Sequence, residues 1–258
     1  MEAEILLAHV LNVDRLQLYL APEKPLTSEE RGRYRTVVKR RREGVPLQHL
    51  TGEISFYGLK FRVNGDALIP RAETEELLDR VLQLAPRDRE VACLDLGTGS
   101  GVIAVCLARY LPRATVTAVD ISSEALQLAR VNASLNEVEE RICFFESDWF
   151  GRVSGRFDLI ASNPPYVDER ELSNLPCEVR EHEPRCALDG GTDGLEQISL
   201  LLRNAVEHLA AGGYLLLEID HRQGRRIVEM MGEVGLADIQ VEQDLAGKDR
   251  FAVARCPS

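Results

Sequence analysis

The clearest indication of the fold is the segment Leu94-Asp95-Leu96-Gly97-Thr98-Gly99-Ser100-Gly101, which follows an apolar run at residues 91–94 and precedes a helical pattern at residues 102–110. Glycines at such a strand-to-helix turn permit positive φ angles and a close approach of a ligand to the backbone. The following helix contributes unpaired backbone N–H groups. The next strand pattern ends at Asp120, where a carboxylate can accept hydrogen bonds from both ribose hydroxyls of an adenosine. Together these features favour a nucleoside-cofactor site over the alternative, a plain tight turn.

The glycine spacing separates two kinds of adenosine-containing cofactor. Dinucleotide binding requires G-x-G-x-x-G, whereas this chain has G-x-G-x-G, with Val102 at the place of the third dinucleotide glycine. The pattern resembles the S-adenosylmethionine loop of class I methyltransferases. In that class an acid and its neighbour after the third strand contact the adenine, which corresponds here to Asp148 and Trp149. The alternative for Trp149, the only tryptophan, is that it fills the core.

Strand-like and helical patterns alternate after residue 90, which predicts a mostly parallel sheet covered by helices on both faces. The resemblance to class I S-adenosylmethionine-dependent methyltransferases implies that this is their Rossmann-like α/β fold with a seven-stranded sheet, preceded here by a small helical N-terminal domain. The expected division is a helical substrate-recognition domain (residues 1–51), a β-hairpin linker (residues 52–71) and the methyltransferase domain (residues 72–258). Within the first domain, Thr27-Ser28-Glu29-Glu30 predicts a helix start, and Gly44 its end.

A second motif, Asn163-Pro164-Pro165-Tyr166, follows an apolar strand pattern at residues 157–161. Two consecutive prolines fix φ and remove two N–H donors, so the loop is stiff and presents carbonyl oxygens. The Asn163 side-chain oxygen and the Pro164 carbonyl can hold the two protons of an amide or exocyclic amine, which restores the nitrogen lone pair. Tyr166 can cover the flat face of that group. A rigid surface turn is the alternative, but the position after a strand, downstream of the glycine loop, favours N-methylation of a planar nitrogen.

At these residues the chain closely resembles the protein-glutamine methyltransferases that modify peptide-chain release factors. Three further segments carry the resemblance: Pro46-Leu47-Gln48-His49-Leu50-Thr51-Gly52, Leu68-Ile69-Pro70-Arg71-Ala72-Glu73-Thr74-Glu75, and Glu183-Pro184 with Gly190-Gly191 and Asp193-Gly194-Leu195. Ala72 and Asp220 depart from the proline and glycine common there.

The resemblance implies methyl transfer from S-adenosylmethionine to the glutamine side-chain amide in the Gly-Gly-Gln motif of class I release factors. It assigns cofactor contacts to Gly97, Thr98, Gly99, Ser100, Gly101, Asp120, Asp148, Trp149 and Asn163. Substrate binding falls to Asn163, Pro164, Pro165 and Tyr166, with Asn163, Pro164 and Tyr166 as catalytic residues. The segment at residues 71–75 is expected to close over the cofactor pocket.

Composition bears on the competing functions. The 258 residues are 45% hydrophobic and carry a net charge of −11, which is unfavourable for a protein that grips phosphate backbones. An adenine or guanine methyltransferase with the same loop is therefore the second hypothesis, and a non-catalytic scaffold the third. Residues 31–42 hold seven basic side chains, for which we favour a solvated helix face over a contact surface for the release factor or RNA.

The remaining features favour a cytoplasmic protein without a membrane segment or a metal site, and we expect it to be a monomer. The longest apolar runs are far shorter than the roughly 20 residues of a membrane helix, and the histidines lack metal-ligand spacing. The six cysteines include no C-x-x-C pair, which suits a reducing compartment. Cys93, Cys106 and Cys143 stand in apolar stretches and are expected to pack as small core residues.

Overall fold

The N-terminal region is helical in the computed structural model, which describes residues 1–257. Its elements are α1 (Glu2–Leu11), α2 (Arg15–Leu20), α3 (Ser28–Arg42) and α4 (Leu47–Thr51). The start of α3 is fixed by a capping box, in which the Thr27 side chain accepts from the Glu30 backbone N–H and Glu30 accepts from the Thr27 backbone. The predicted start of this helix is confirmed, whereas α2 and α4 were not foreseen.

A hairpin connects these helices to the rest of the chain. It comprises β1 (Glu53–Phe56) and β2 (Leu59–Arg62), paired antiparallel across a two-residue turn. Both turn residues, Tyr57 (φ 48°) and Gly58 (φ 75°), are left-handed, as a tight hairpin turn with right-handed strand twist requires. The hairpin is anchored by Asn132, a buried residue whose side-chain amide donates to the Arg62 carbonyl and accepts from the Arg62 N–H.

Alternating strands and helices make up the remainder. The helices are α5 (Ala72–Leu84), α6 (Val102–Tyr110), α7 (Ser123–Leu135), α8 (Cys177–His182), α9 (Glu196–His208) and α10 (Gly224–Glu233). The strands are β3 (Val91–Leu96), β4 (Ala114–Asp120), β5 (Ile142–Glu146), β6 (Phe157–Ser162), β7 (Leu209–Glu218), β8 (Ala237–Gln243) and β9 (Asp249–Arg255). Short 3-10 turns lie at Glu139–Arg141, Glu169–Asn174 and Arg185–Ala187.

The seven strands form one sheet in the order β5-β4-β3-β6-β7-β9-β8. Neighbouring strands from β5 to β7 are parallel, and β9 pairs antiparallel with both β7 and β8. Apolar side chains of α5, α6 and α7 pack on one face, and those of α9 and α10 pack on the other. The predicted α/β fold with a mostly parallel, seven-stranded sheet is confirmed.

One expectation about side chains was wrong, and a second has one exception. Cys143 is exposed, because β5 is an edge strand whose residues alternate between core and solvent and Cys143 falls on the solvent side. In the basic run at residues 31–42, the basic side chains are exposed as expected, with the exception of Arg41. Its guanidinium binds Glu2 of α1 (2.9 Å) and Glu178 of α8 (2.8 Å), so this arginine connects the N-terminal helices to the α/β region.

Among residues 1–257, no helix combines the length and apolar character needed to cross a membrane.

Candidate active site

The functional motifs meet at one edge of the sheet. The strand-end residues Leu96, Val119 and Ser162 are register partners across β4, β3 and β6, and Leu217 of β7 pairs with Ser162. The next residue along each chain segment is therefore Gly97, Asp120, Asn163 and Glu218, at the carboxyl ends of four adjacent parallel strands. This is the edge at which open α/β sheets bind ligands.

A cavity of about 510 Å³ opens at this edge. Its size is within the range of pockets that enclose a small ligand or cofactor. Most of the sequence-predicted residues line it: Gly97, Thr98, Gly99, Ser100, Asp120, Asp148, Trp149, Asn163 and Pro165. The lining also includes Arg71 and Thr74 from the segment expected to close over the pocket. Gly101, Pro164 and Tyr166 fall outside the lining.

The glycine loop is held by two carboxylates. Asp120 accepts hydrogen bonds from the backbone N–H groups of Gly99 (2.8 Å) and Ser122 (2.9 Å), one on each oxygen. Each oxygen keeps a second lone pair, and burial raises the pKa of this carboxyl group. Asp95 accepts from the Thr98 hydroxyl (2.6 Å) on the other side of the loop, and burial raises its pKa to about 7. A lone pair at Asp120 suits the ribose hydroxyls of an adenosine.

Gly101 serves packing rather than the cavity. Its φ is +84°, and a Cβ there would lie 2.9 Å from the Cβ of Ala129 on α7. Only glycine allows the helix after the loop to approach α7 so closely.

The Trp149 side chain packs beside the glycine loop. The Trp149 ring lies within van der Waals reach of the Cα region of Gly97, since a Cβ built on Gly97 would be 3.7 Å from it. The indole N–H donates to Gln197 Oε1 on α9 (3.1 Å), which fixes the ring plane. This leaves a flat, half-buried ring beside a carboxylate and a glycine loop, an arrangement that could hold a planar group and neighbouring hydroxyls. Gln197 was not identified from the sequence.

The loop Asn163–Tyr166 contributes Asn163 and Pro165 to the lining of the same cavity. The Asn163 side chain donates through Nδ2 to Thr74 Oγ1 (3.2 Å), which leaves its Oδ1 without a donor among residues 1–257. The Tyr166 backbone carbonyl accepts from Gln223 Nε2 (3.1 Å), and the same amide binds the Gly194 carbonyl (3.0 Å). Gln223 thus ties this loop to the segment that precedes α9.

Two buried residues lie behind the loop: Thr74, from the segment expected to close over the pocket, and Glu218, which the sequence analysis did not identify. Thr74 and Glu218 are 3% and 1% exposed, and the Thr74 hydroxyl donates to Glu218 Oε2 at 2.7 Å. The Tyr166 hydroxyl donates to the other carboxylate oxygen at 3.2 Å. One signal was available: Glu218 is an acid at the carboxyl end of the apolar strand β7, and buried carboxylates require partners.

An ion pair between Arg71 and Glu183 lies beside the cavity. Arg71 binds both carboxylate oxygens of Glu183 (2.7 and 2.8 Å), and the Glu183 side chain is 2% exposed. The pair links the segment before α5 to the segment after α8, and Arg71 itself lines the cavity.

Comparison with known proteins places the chain in a family. Residues 1–52 match the family model described as PrmC N-terminal domain, and residues 74–178 match the Methyltransferase small domain. The chain is 44% identical to the release factor glutamine methyltransferase of Koribacter versatilis, over 100% of this chain and 91% of the relative. It is 42% identical to the protein of the same name from Geobacter sulfurreducens, over 99% and 89%. The chain belongs to the release factor glutamine methyltransferase family. This confirms the resemblance found in the sequence.

Solved structures agree at the level of the fold. A methyltransferase from Pyrococcus furiosus superimposes with a TM-score of 0.60 at 20% identity, covering 79% of this chain and 92% of that one. A ribosomal protein L11 methylase from Lactobacillus delbrueckii gives a TM-score of 0.54 at 22% identity, covering 75% and 82%. Family and fold together make the chain a methyltransferase and imply the use of S-adenosylmethionine.

Proposed function

We propose that the chain transfers the methyl group of S-adenosylmethionine to the side-chain amide nitrogen of the glutamine in the Gly-Gly-Gln motif of class I peptide chain release factors. The observation that carries this proposal is the pair of free acceptors beside the cavity. Neither Asn163 Oδ1 nor the Pro164 carbonyl oxygen accepts a hydrogen bond from residues 1–257. A primary amide has two N–H protons, so two acceptors on one rigid loop match its donor pattern.

The cofactor would lie along the glycine loop. Asp120 would bind the ribose hydroxyls, Trp149 and Asp148 would contact the adenine, and the backbone from Gly97 to Ser100 would follow the methionine part. S-adenosylmethionine, when bound, supplies an electrophilic methyl group on a sulfonium. Asn163 would lie where cofactor and substrate meet, because it lines the cavity and follows β6 next to the loop.

The chemistry then rests on the shape of the amide nitrogen. In a planar amide the nitrogen lone pair is delocalised into the carbonyl group, which makes the nitrogen a poor nucleophile. Asn163 Oδ1 and the Pro164 oxygen would each hold one N–H proton, which favours a tetrahedral nitrogen with a localised lone pair. A nitrogen–carbon bond forms as the carbon–sulfur bond breaks, and the nitrogen then releases one proton to solvent. Positioning and electrostatics supply the acceleration.

The rest of the chain would present the release factor. In this proposal residues 1–51 recognise the factor, residues 52–71 form the connection, and residues 72–258 carry out the transfer. Support comes from Arg41, which binds Glu178 of α8 and so couples α3 to the side of the molecule that bears the site. Exposed apolar residues on α2, namely Leu16, Tyr19 and Leu20, offer contact area on the N-terminal helices.

Transfer of labelled methyl groups tests the proposal. Purified class I release factor and, separately, duplex DNA and structured RNA are incubated with the chain and labelled S-adenosylmethionine. We expect label on the release factor only, loss of label in Asn163→Ala, and unchanged label in Asn204→Ala, a variant of an exposed asparagine on α9. Label confined to nucleic acid would instead support the amine methyltransferase hypothesis and refute this one.

A further inference from the structure

A buried carboxylate lies behind the substrate loop, and the transfer chemistry described above does not use it. Glu218 is 1% exposed and has two partners, both of them hydroxyl groups: Thr74 at 2.7 Å and Tyr166 at 3.2 Å. Burying a charge is costly, and an apolar residue at this sheet position would avoid that cost. The position of the carboxylate, one residue beyond the register partner of Ser162, places it beside Asn163.

The direction of each hydrogen bond follows from proton count. A hydroxyl group has one proton, and an ionised carboxylate can only accept. The Thr74 proton is therefore committed to Glu218, and Thr74 Oγ1 can only accept from Asn163. The Asn163 amide must then turn Nδ2 toward Thr74, which leaves Oδ1 directed at the cavity. Without the charge on Glu218, a Thr74 hydroxyl would bind either end of the amide.

We propose that Glu218, acting through Thr74, is a positioning residue that fixes the Asn163 amide with Oδ1 facing the substrate. This inference rests on the proposed function, because it explains how the loop comes to present an acceptor rather than a donor. If Glu218 is protonated, its own O–H donates to Thr74 Oγ1. The Thr74 proton is then free to bind Asn163 Oδ1, the amide turns over, and an NH₂ group faces the substrate N–H protons.

The charges around Glu218 set the pH at which this change occurs. Glu73 on α5 opposes ionisation of Glu218, whereas Arg250 on β9, Thr74 and Tyr166 favour it. Burial dominates and raises the pKa of Glu218 to about 6. The carboxylate is the active form, so activity is complete well above pH 6 and is lost as the pH falls through that value.

The orientation of the amide can be measured without a release factor. In protein labelled with ¹⁵N-asparagine, the side-chain signal that disappears in Asn163→Ala reports on Nδ2. We expect this signal to shift with a midpoint near pH 6 in the unchanged chain and to lose that transition in Glu218→Gln. A signal that does not titrate, or that titrates equally in Glu218→Gln, would overturn the inference whether or not the chain methylates release factors.

Kinetics on the release factor provide the second arm. In Thr74→Val and Glu218→Gln, Asn163 Oδ1 is no longer held toward the substrate, so the transition state loses the hydrogen bond from the positively charged amide nitrogen to this oxygen. A hydrogen bond to a charged group of this kind predicts that both variants lower kcat about 10- to 100-fold. We expect KM for S-adenosylmethionine and for the release factor to change less than about twofold, because the acceptor matters most as the nitrogen gains positive charge. Thr74→Ser keeps the hydroxyl and should keep kcat within about threefold of the unchanged chain.

Thr74→Val and Glu218→Gln disturb the same chain of hydrogen bonds to Asn163. The double variant should therefore be no slower than the slower of these two single variants. Equal kcat in Thr74→Val and Thr74→Ser would refute the proposal that Glu218 positions Asn163 through the Thr74 hydroxyl. If Thr74→Val fails to fold, Glu218→Gln and the amide signal decide the question. If the chain shows the pH-dependent signal but transfers no methyl group, the positioning of Asn163 by Glu218 is supported and the proposed function is refuted.

Discussion

Asp120 offers the sharpest test of cofactor binding, because a chemically matched carboxylate stands at the opposite edge of the sheet. Asp120 accepts two backbone N–H groups at the carboxyl end of β4 and lines the cavity. Asp158, at the start of β6, accepts the Ala92 N–H at 2.9 Å and binds Arg89 at 2.8 Å, away from the cavity. Both are held by the same kind of bond, but only Asp120 is proposed to contact the ribose.

The expected loss follows from the bonds that a carboxylate can make. In Asp120→Asn one carboxylate oxygen is replaced by an NH₂ group. This group cannot accept a hydrogen bond from a ribose hydroxyl, and it places a donor against the backbone N–H that the oxygen had bound. Loss of one hydrogen bond to a charged group costs about 1.5–3 kcal/mol. At about 1.4 kcal/mol per tenfold change, Kd for S-adenosylmethionine should rise about 10- to 150-fold. Titration calorimetry with S-adenosylmethionine and S-adenosylhomocysteine measures this change.

Asp158→Asn is the control, and its Kd should stay within about twofold of the unchanged chain even if its melting temperature falls. The reasoning is refuted if Asp120→Asn binds the cofactor as tightly as the unchanged chain. Equal weakening in both variants would also refute it, because the effect would then come from the sheet rather than from a ribose contact.

Three further predictions concern other parts of the molecule. Gly101→Ala should lower the free energy of unfolding by about 1–3 kcal/mol in denaturant titrations, because its φ is +84° and its Cβ would meet Ala129 at 2.9 Å. Arg41→Ala should raise KM for the release factor without changing Kd for S-adenosylmethionine, whereas Arg40→Ala, on the exposed side of α3, should change neither. Cys186 lines the cavity, so S-adenosylmethionine should slow its alkylation by iodoacetamide, as read by peptide mass spectrometry.

Each of these predictions has a contrary result. Unchanged stability in Gly101→Ala would mean that the loop and α7 are not packed as described. Equal KM values in the two arginine variants would remove the coupling assigned to Arg41. Alkylation of Cys186 at one rate with and without cofactor would separate that thiol from the binding site.

The sequence predicted the parts of the fold that are coded locally. The helix start at Thr27 is coded by a capping box, and the turn at Gly58 by a glycine between two apolar strands. The glycine loop could be placed because a strand pattern, three glycines and a helix pattern follow each other without a gap. In all three cases the interacting residues are near neighbours in the chain.

The parts that were missed depend on contacts between distant segments. Thr74 and Glu218 are 144 positions apart and meet only because α5 packs against the end of β7. The exposure of Cys143 follows from the edge position of β5, which strand order decides and local pattern does not. Arg41 has the same local context as the exposed basic residues around it, and its partner Glu178 comes from a short helix in a region without clear periodicity.

The proposed reaction is methylation of the glutamine in the Gly-Gly-Gln motif, with Asn163 holding its side-chain amide. The most direct measurement is mass spectrometry of the release factor peptide that contains this motif, after reaction with the unchanged chain and with Asn163→Ala. If the proposed function is correct, the peptide gains the mass of one methylene group, located on the glutamine by fragmentation, with the unchanged chain only. An unmodified peptide, or a methyl group on another residue, would contradict it.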